Sequence, residues 1–433
     1  MEEEPQPQVE VEVPCYFLCP ISLSIMRDPV TLPTGITYDR DGIERWLLTA
    51  ATCPLTKQPV PADCDPTPNH TLRRLIQSWC ALDAADGVDR VHTPKPRADR
   101  AAVAALVSRI HAAATATAGS STPPPQPQHQ QLLAALRELR DVAAESDRNR
   151  KLVAAVPGAV DVLAAVFAAS AKAKSSEGTA SAVRDEALEV ISSLQVPEQC
   201  LRRVAETNEA LVSALVSALQ RSSSASRARA ALLLERVTAA MPPSRLVSLA
   251  EQVFREAVQL LRDRPAVSWP ATKAALHVLV RTAAWGRNRV KAVDAGAVPV
   301  LVDMLFDDGA ERRACELVLA ALDRLCGCAE GRADLVAHAA GVAAVGRRAL
   351  RVSEVATDKA VRVLRSVARH AATAAVVQEM AQAGVVATLC LVAQSEQYAD
   401  RTRERARETL RLHARAWRTS PCLHHHLQAV YPC

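Results

Sequence analysis

The stretch 17-FLCPISLSIMRDPV-30 sets a cysteine beside a proline, inside an apolar run that closes on a second proline. A cysteine so placed is either a metal ligand or a buried thiol, and spacing decides between the two. Two tetrahedral zinc sites need about eight thiolates or imidazoles in closely spaced pairs. The candidates nearby are Cys15, Cys19, Cys53, Cys64, His70 and Cys80, and among them only Cys15 and Cys19 stand at pair spacing. The other four are isolated, so the segment is expected to fold without a metal.

Working outward, 31-TLPTGITYDRDGIERWLLTA-50 begins with β-favouring residues and turns at Gly35. Asp39 or Asp41 then stands as an N-cap before Ile43, Trp46 and Leu47 at helical spacing. That pattern predicts a hairpin feeding a central helix. The prolines of 53-CPLTKQPVPADCDPTPN-69 demand a constrained loop, and 70-HTLRRLIQSWCALDAA-85 places Leu72, Leu75, Ile76 and Trp79 on one helical stripe. Residues 13–85 therefore read as a small α+β domain behind a disordered tail, 1–12.

Residues 86–130 read as a linker with a short helix at about 99–116, and 119-GSSTPPPQPQHQQ-131 as flexible or polyproline-like. From 131 to 430 the chain repeats itself. The phrases 157-PGAVDVL-163, 295-AGAVPVL-301, 340-AGVAAVG-346 and 383-AGVVATL-389 place Gly158, Gly296, Gly341 and Gly384 in register. The last three stand about 45 residues apart, and the first gap is about three times that, a period that implies an all-α solenoid of five to six degenerate repeats. The weak echoes 208-NEALVSALVSAL-219 and 253-VFREAVQLL-261 fall where two glycines are missing. Each glycine is expected to turn the chain with positive φ between a short helix and a longer one. The matching runs 148-RNRKLVAAV-156 and 287-RNRVKAVDA-295 mark turns ahead of two of these phrases.

Composition fits this reading and excludes others. Hydrophobic residues make up 49% but aromatics only 3%, which favours closely packed helices of alanine, leucine and valine. The net charge of +5 is spread in mixed-sign runs such as 401-RTRERARETLR-411, so no basic face for nucleic acid stands out. No apolar run reaches the roughly 18 to 20 residues that crossing a bilayer takes, and the acidic N-terminus lacks the pattern of an export signal. The 12 cysteines then read as reduced thiols. His424, His425 and His426 lack spaced partners, and Cys326 and Cys328 read as a buried thiol and its neighbour at a turn. Arg347, Arg348 and Arg351 read as a solvated stripe, or as part of a groove for acidic segments. No phosphate-cradling or nucleophile-elbow motif occurs, and no cofactor is called for.

The phrases 18-LCPISLSIMRDPVTLPTGITYDRDGIERWL-47, 53-CPLTKQ-58 and 68-PNHTLRRLIQSW-79 together resemble the U-box, the metal-free relative of the RING domain. With the repeats behind it, the chain resembles the plant U-box and armadillo-repeat ubiquitin ligases, in particular the short subgroup with an N-terminal U-box. The resemblance implies a RING-type E3 ubiquitin transferase that forms no covalent intermediate of its own. A ubiquitin-charged conjugating enzyme docks on the first loop, Cys19, Pro20, Ile21, Ser22 and Leu23, and on the second, Cys53, Pro54 and Leu55, in a groove completed by Trp46. Lys57 takes the place of a cation that orients ubiquitin, or is a solvated surface lysine. Loop ties replace zinc: of Ser22, Asp39, Arg40, Asp41, Asn69 and Arg73, the expectation rests on Asp39 and Asn69. Ser24, where many relatives are acidic, and the short 48-LTAAT-52 depart from the family pattern.

The resemblance further implies protein substrates chosen by the armadillo repeats, a role in stress or defence signalling, and a cytoplasmic location with the nucleus and membrane periphery left open. A homodimer is also left open. The rival reading is an inactive armadillo scaffold whose U-box-like domain only binds partners.

Overall fold

The computed structural model describes residues 13–61, 64–82, 99–118, 126–172, 178–307, 311–418, 420–423, 425, 428 and 431. The expected tail 1–12, residues 86–98 and 119–125 of the linker, and both His424 and His426 lie outside them. The chain divides into two units. One holds residues up to Leu106 together with Asp141–Val156, and the other holds Val107–Arg140 and Pro157 onward.

In the first unit, three short strands form an antiparallel sheet in the order β2-β1-β3, with β1 at Pro29–Thr31, β2 at Thr37–Asp39 and β3 at Thr67–Pro68. The pairing Val30↔Tyr38 closes the hairpin around Gly35, whose φ of 82° is open to glycine at little cost. Helix α1, Arg40–Leu47, follows directly, and α2, His70–Leu82, returns over the sheet through Asn69. The core collects Phe17, Met26, Val30, Tyr38, Ile43, Ile76 and Cys80, with Trp46, Leu72 and Trp79 packed against it. The α2 stripe is therefore Leu72, Ile76, Trp79 and Cys80; Leu75, expected on it, lies exposed at its edge.

Two helices, α3 (Arg100–Ala118) and α4 (Gln126–Glu145), precede the repeats. Residues 126–131, read as linker from their proline and glutamines, form the start of α4. Proline is tolerated in a first helical turn, because the amide it lacks would have no partner there. Next comes α5, Asp147–Ala155, where Ser146 caps the helix and buried Asn149 donates to the Val142 carbonyl at 2.9 Å.

The array continues as α6 (Ala159–Lys172), α7 (Thr179–Ser193), α8 (Glu198–Thr207), α9 (Glu209–Leu219), α10 (Ser224–Ala240), α11 (Pro243–Val247), α12 (Glu251–Arg262) and α13 (Trp269–Thr282). It runs on through α14 (Gly286–Asp294), α15 (Ala297–Leu305), α16 (Arg312–Leu325), α17 (Ala329–Ala337), α18 (Gly341–Ala349), α19 (Glu354–His370), α20 (Ala374–Gln382), α21 (Val385–Gln394), α22 (Asp400–Leu412) and α23 (Ala414–Trp417). Each repeat has three helices, the third the longest, and like helices stack on like. Helices α6, α9, α12, α15, α18 and α21 form one ladder, and α7, α10, α13, α16, α19 and α22 the other. The two echoes without glycine are α9 and α12, second helices of their repeats. Ion pairs such as Arg362 with Asp323 and Arg405 with Asp358 tie neighbouring members of the second ladder.

Gly158, Gly296 and Gly384 turn with φ of 78°, 79° and 74°, as their register predicts. Gly341 does not. It opens α18 with ordinary helical geometry, and a side chain there would overlap the Leu335 carbonyl oxygen. What fixes glycine at this position is close approach between backbones, which a sequence register cannot distinguish from a turn. Gly341→Ala is expected to cost the array about 3 kcal/mol, the upper range for overpacking against an unyielding neighbour. Gly384→Ala, strained only in φ, is expected to cost nearer about 1 kcal/mol. Denaturant midpoints of the two variants check the order.

The runs at 148 and 287, expected as turns, lie within α5 and α14; in the second, buried Asn288 anchors the helix, its amide donating to the Leu246 and Thr282 carbonyls at 2.8 and 3.2 Å. Arg348 corrects both readings of its stripe. It is buried, and donates to the Leu305 and Asp307 carbonyls at 2.6 and 2.9 Å, closing the C-terminal end of α15. Cys326 is buried at the end of α16, with Cys328 at the turn that follows. Among the described residues, no single helix is long and apolar enough to cross a membrane.

Candidate functional site

Two loops of the first unit are built on one plan. In 19-CPISLS-24 the Cys19 amide donates to the Ser24 carbonyl at 2.9 Å, and the Leu23 amide returns to the Cys19 carbonyl at 2.8 Å. In 53-CPLTKQ-58 the Cys53 amide donates to Gln58 at 2.8 Å, and Lys57 returns to Cys53 at 2.9 Å. Each loop is closed by an isolated bridge, Leu18 with Ile25 and Thr52 with Pro59. Each also forces its fifth residue into the left-handed region, Leu23 at φ 55° and Lys57 at φ 59°, a conformation that costs a residue with a side chain about 1 kcal/mol or more. The parallel between CPISLS and CPLTKQ is the signal in the sequence that foreshadows this likeness.

Both cysteines are fully buried and act as hydrogen-bond acceptors rather than as free ligands. The Asp39 amide donates to Cys19 Sγ at 3.2 Å. Around Cys53 Sγ stand the Tyr38 hydroxyl at 3.0 Å and Thr34 Oγ1 at 3.4 Å. Among the described residues no group of three or more His, Cys, Asp or Glu is arranged to hold a metal.

With the thiols inside, the loop tips face out. Ile21 is 36% exposed, Leu23 76% and Leu55 61%, while Pro20 is exposed and Pro54 half-buried. Helix α1 joins the two loops through positions four residues apart on one face. Ile21 lies over Gly42, its Cδ1 3.7 Å from where a Cβ would stand. One turn on, the Trp46 indole N–H donates to the Thr52 carbonyl at 2.8 Å and so pins the start of the second loop. Lys57 Nζ sits 5.6 Å from the Trp46 ring centroid, within cation–π reach. The structure thus brings Ile21, Trp46, Pro54, Leu55 and Lys57 into one unit, with Trp46 half-buried as a support rather than projecting free.

Beneath this face the ties that replace a metal centre on Asp28, which the sequence reading passed over. Its amide donates to Asp39 Oδ1 at 2.8 Å, its carbonyl accepts the Arg40 amide at 3.0 Å, and its carboxylate pairs with both Arg40 and Arg73. Arg40 also reaches Glu44 at 3.5 Å. Arg40 and Arg73, set aside in the sequence reading, therefore carry the brace beside Asp39 and Asn69, whereas Asp41 and Ser22 lie exposed.

Asp39 begins α1 without capping it; its carboxylate turns back to the Arg27 and Asp28 amides at 3.0 and 2.8 Å. Burial holds that carboxyl above its ordinary value, opposed by the bond from Arg27. Asn69 does cap its helix, accepting the Leu72 amide at 3.0 Å.

Comparison with known proteins agrees with this architecture. The profile described as the U-box domain matches residues 13–83, and that of the plant U-box protein ARM repeat region matches 118–433. E3 ubiquitin-protein ligase PUB23 of Arabidopsis thaliana is 43% identical over 98% of this chain and 98% of its own. PUB22 of the same plant is 39% identical over 98% and 99%, and PUB24 is 32% identical over 96% of each. A two-loop domain, an armadillo-type array and end-to-end relatives of that kind lead to one assignment: the chain belongs to the plant U-box family with armadillo repeats and is an E3 ubiquitin-protein ligase.

Proposed function

We propose that the face formed by Ile21, Leu23, Pro54 and Leu55 on the Gly42–Trp46 side of α1 docks the ubiquitin-charged conjugating enzyme, and that the armadillo array selects the protein substrate. The observation that carries the docking reading is the paired build of the loops: buried sulfurs, closed backbone frames and apolar tips presented together on one helix face. Such a small apolar surface suits a modest, quickly exchanging interface. The chemistry then needs no nucleophile from this chain. Holding the thioester and a substrate lysine in one geometry supplies the advantage of an intramolecular reaction. Lys57, held over Trp46, is placed to orient ubiquitin, although an arginine's planar fork would bridge two carbonyls better than a point-charge ammonium.

Autoubiquitination with the full chain, activating enzyme, ATP and a panel of conjugating enzymes tests this. Chains are expected with at least one member, at a rate that a chelator leaves unchanged. An absence of chains across the panel would favour the scaffold reading. A role in stress or defence signalling, a cytoplasmic location and self-association rest on the family resemblance alone. Proximity labelling with the full chain is the experiment that addresses substrates and location together.

A further inference from the structure

The hydroxyl of Tyr38 is completely buried under the second loop, where it bonds two atoms of that loop at once. It accepts the amide proton of Leu55 at 3.2 Å and stands 3.0 Å from Cys53 Sγ. Counting protons fixes the direction of the second bond. Thr34 donates to the same sulfur at 3.4 Å. The thiol proton can then turn to Thr56, which also bonds this sulfur, or to the Tyr38 oxygen. In the latter case the tyrosine's own proton would be buried without an acceptor, which costs about 1–3 kcal/mol. Because the Tyr38 oxygen already accepts the Leu55 amide, the arrangement is best satisfied with Tyr38 as donor and the sulfur as acceptor.

We propose that Tyr38 is the positioning residue of the second docking loop: by taking the Leu55 amide proton and giving its own to the Cys53 sulfur, it holds Pro54 and Leu55 in the pose that the conjugating enzyme meets. The inference rests on the docking reading given above. Titration points the same way. Burial would push the Cys53 thiol up, but bonds from Thr34, Thr56 and Tyr38 bring it down to about 6, while burial and the bond to Cys53 push Tyr38 up to about 12. The other ionisable groups near the pair are Cys19 of the first loop, which also acts on Tyr38, and Lys57, whose amide closes the second loop on the Cys53 carbonyl. A thiol depressed in the folded state helps the loop above its folded value and stops doing so as pH falls through about 6.

The test uses the full chain and a conjugating enzyme that supports chain formation by the wild type; if none does, it is the docking reading that fails. Tyr38→Phe is expected to raise KM for the charged conjugating enzyme about 5- to 10-fold, with kcat within about 2-fold, as the loss of one structural hydrogen bond implies. It is also expected to move the acid limb of the pH profile upward. The thiolate absorbance that separates wild type from Cys53→Ser should move upward with it. A Tyr38→Phe protein with wild-type KM and an unmoved acid limb overturns the proposal. Should Tyr38→Phe fail to fold by circular dichroism, the sulfur carries the test. Cys53→Ser, which can still accept from Tyr38, is then expected to lose less affinity for the conjugating enzyme than Cys53→Ala, and equal losses overturn it.

Discussion

Trp46→Ala is expected to lower the rate of ubiquitin-chain formation about 30-fold or more, the scale set by removing an interface anchor worth about 2 kcal/mol. Three supports go together: the indole bond to the Thr52 carbonyl, the platform under Lys57 Nζ, and the apolar backing of the second loop. Trp46→Phe separates them. It keeps a ring beneath the ammonium and loses only the N–H, so about 1 kcal/mol of loop support and a drop nearer 5-fold are expected. Initial rates at fixed concentrations of charged conjugating enzyme make the comparison. A Trp46→Ala protein within about 3-fold of wild type would show that the second loop holds its pose without α1.

Asp28→Ala should cost more in folding than any other single change in the N-terminal domain. The carboxylate neutralises Arg40 and Arg73, whose side chains retain only 10% and 15% of their exposure. Removing it takes the shared counter-ion from two guanidinium groups in a partly dry site and leaves Arg40 with Glu44 at 3.5 Å. Breaking one partner out of such a pair costs about 3–5 kcal/mol. For a domain of this size that is a fall of roughly 15 °C or more in the domain's melting temperature. Thermal denaturation followed by tryptophan fluorescence reads it, since Trp46 and Trp79 both pack on the core of this domain. Salt should restore part of the loss by screening the arginines. A melting temperature within about 3 °C of wild type would show that Asp39 and Asn69 alone replace the metal.

Most of the architecture is legible in the sequence because it depends on local period and local chemistry. The hairpin at Gly35, the helix after Asp39 and the repeat register all follow from residues within one turn or one repeat of each other. The exposed loop tips are legible for a related reason: Cys-Pro followed by an aliphatic residue is a short phrase, and it occurs twice. What stays hidden depends on residues far apart in the chain. Asp28 matters because folding brings Arg40 and Arg73 to the same carboxylate, and nothing periodic links the three. Gly341 looks like its fellow glycines because a close backbone approach and a left-handed turn call for the same residue. Arg348 looks solvated beside Arg347 until the end of α15 arrives to accept its protons.

The shared backbone plan of the two loops has a consequence for how such a ligase can diverge. Their frames are held by main-chain amides and buried sulfurs, while the side chains at the tips, Ile21 and Leu23 on one loop and Leu55 on the other, contribute little to keeping the frame closed. On the docking role proposed for these tips, partner preference can drift one side chain at a time while the frame stays closed, and the choice of conjugating enzyme becomes separable from the integrity of the domain that makes it.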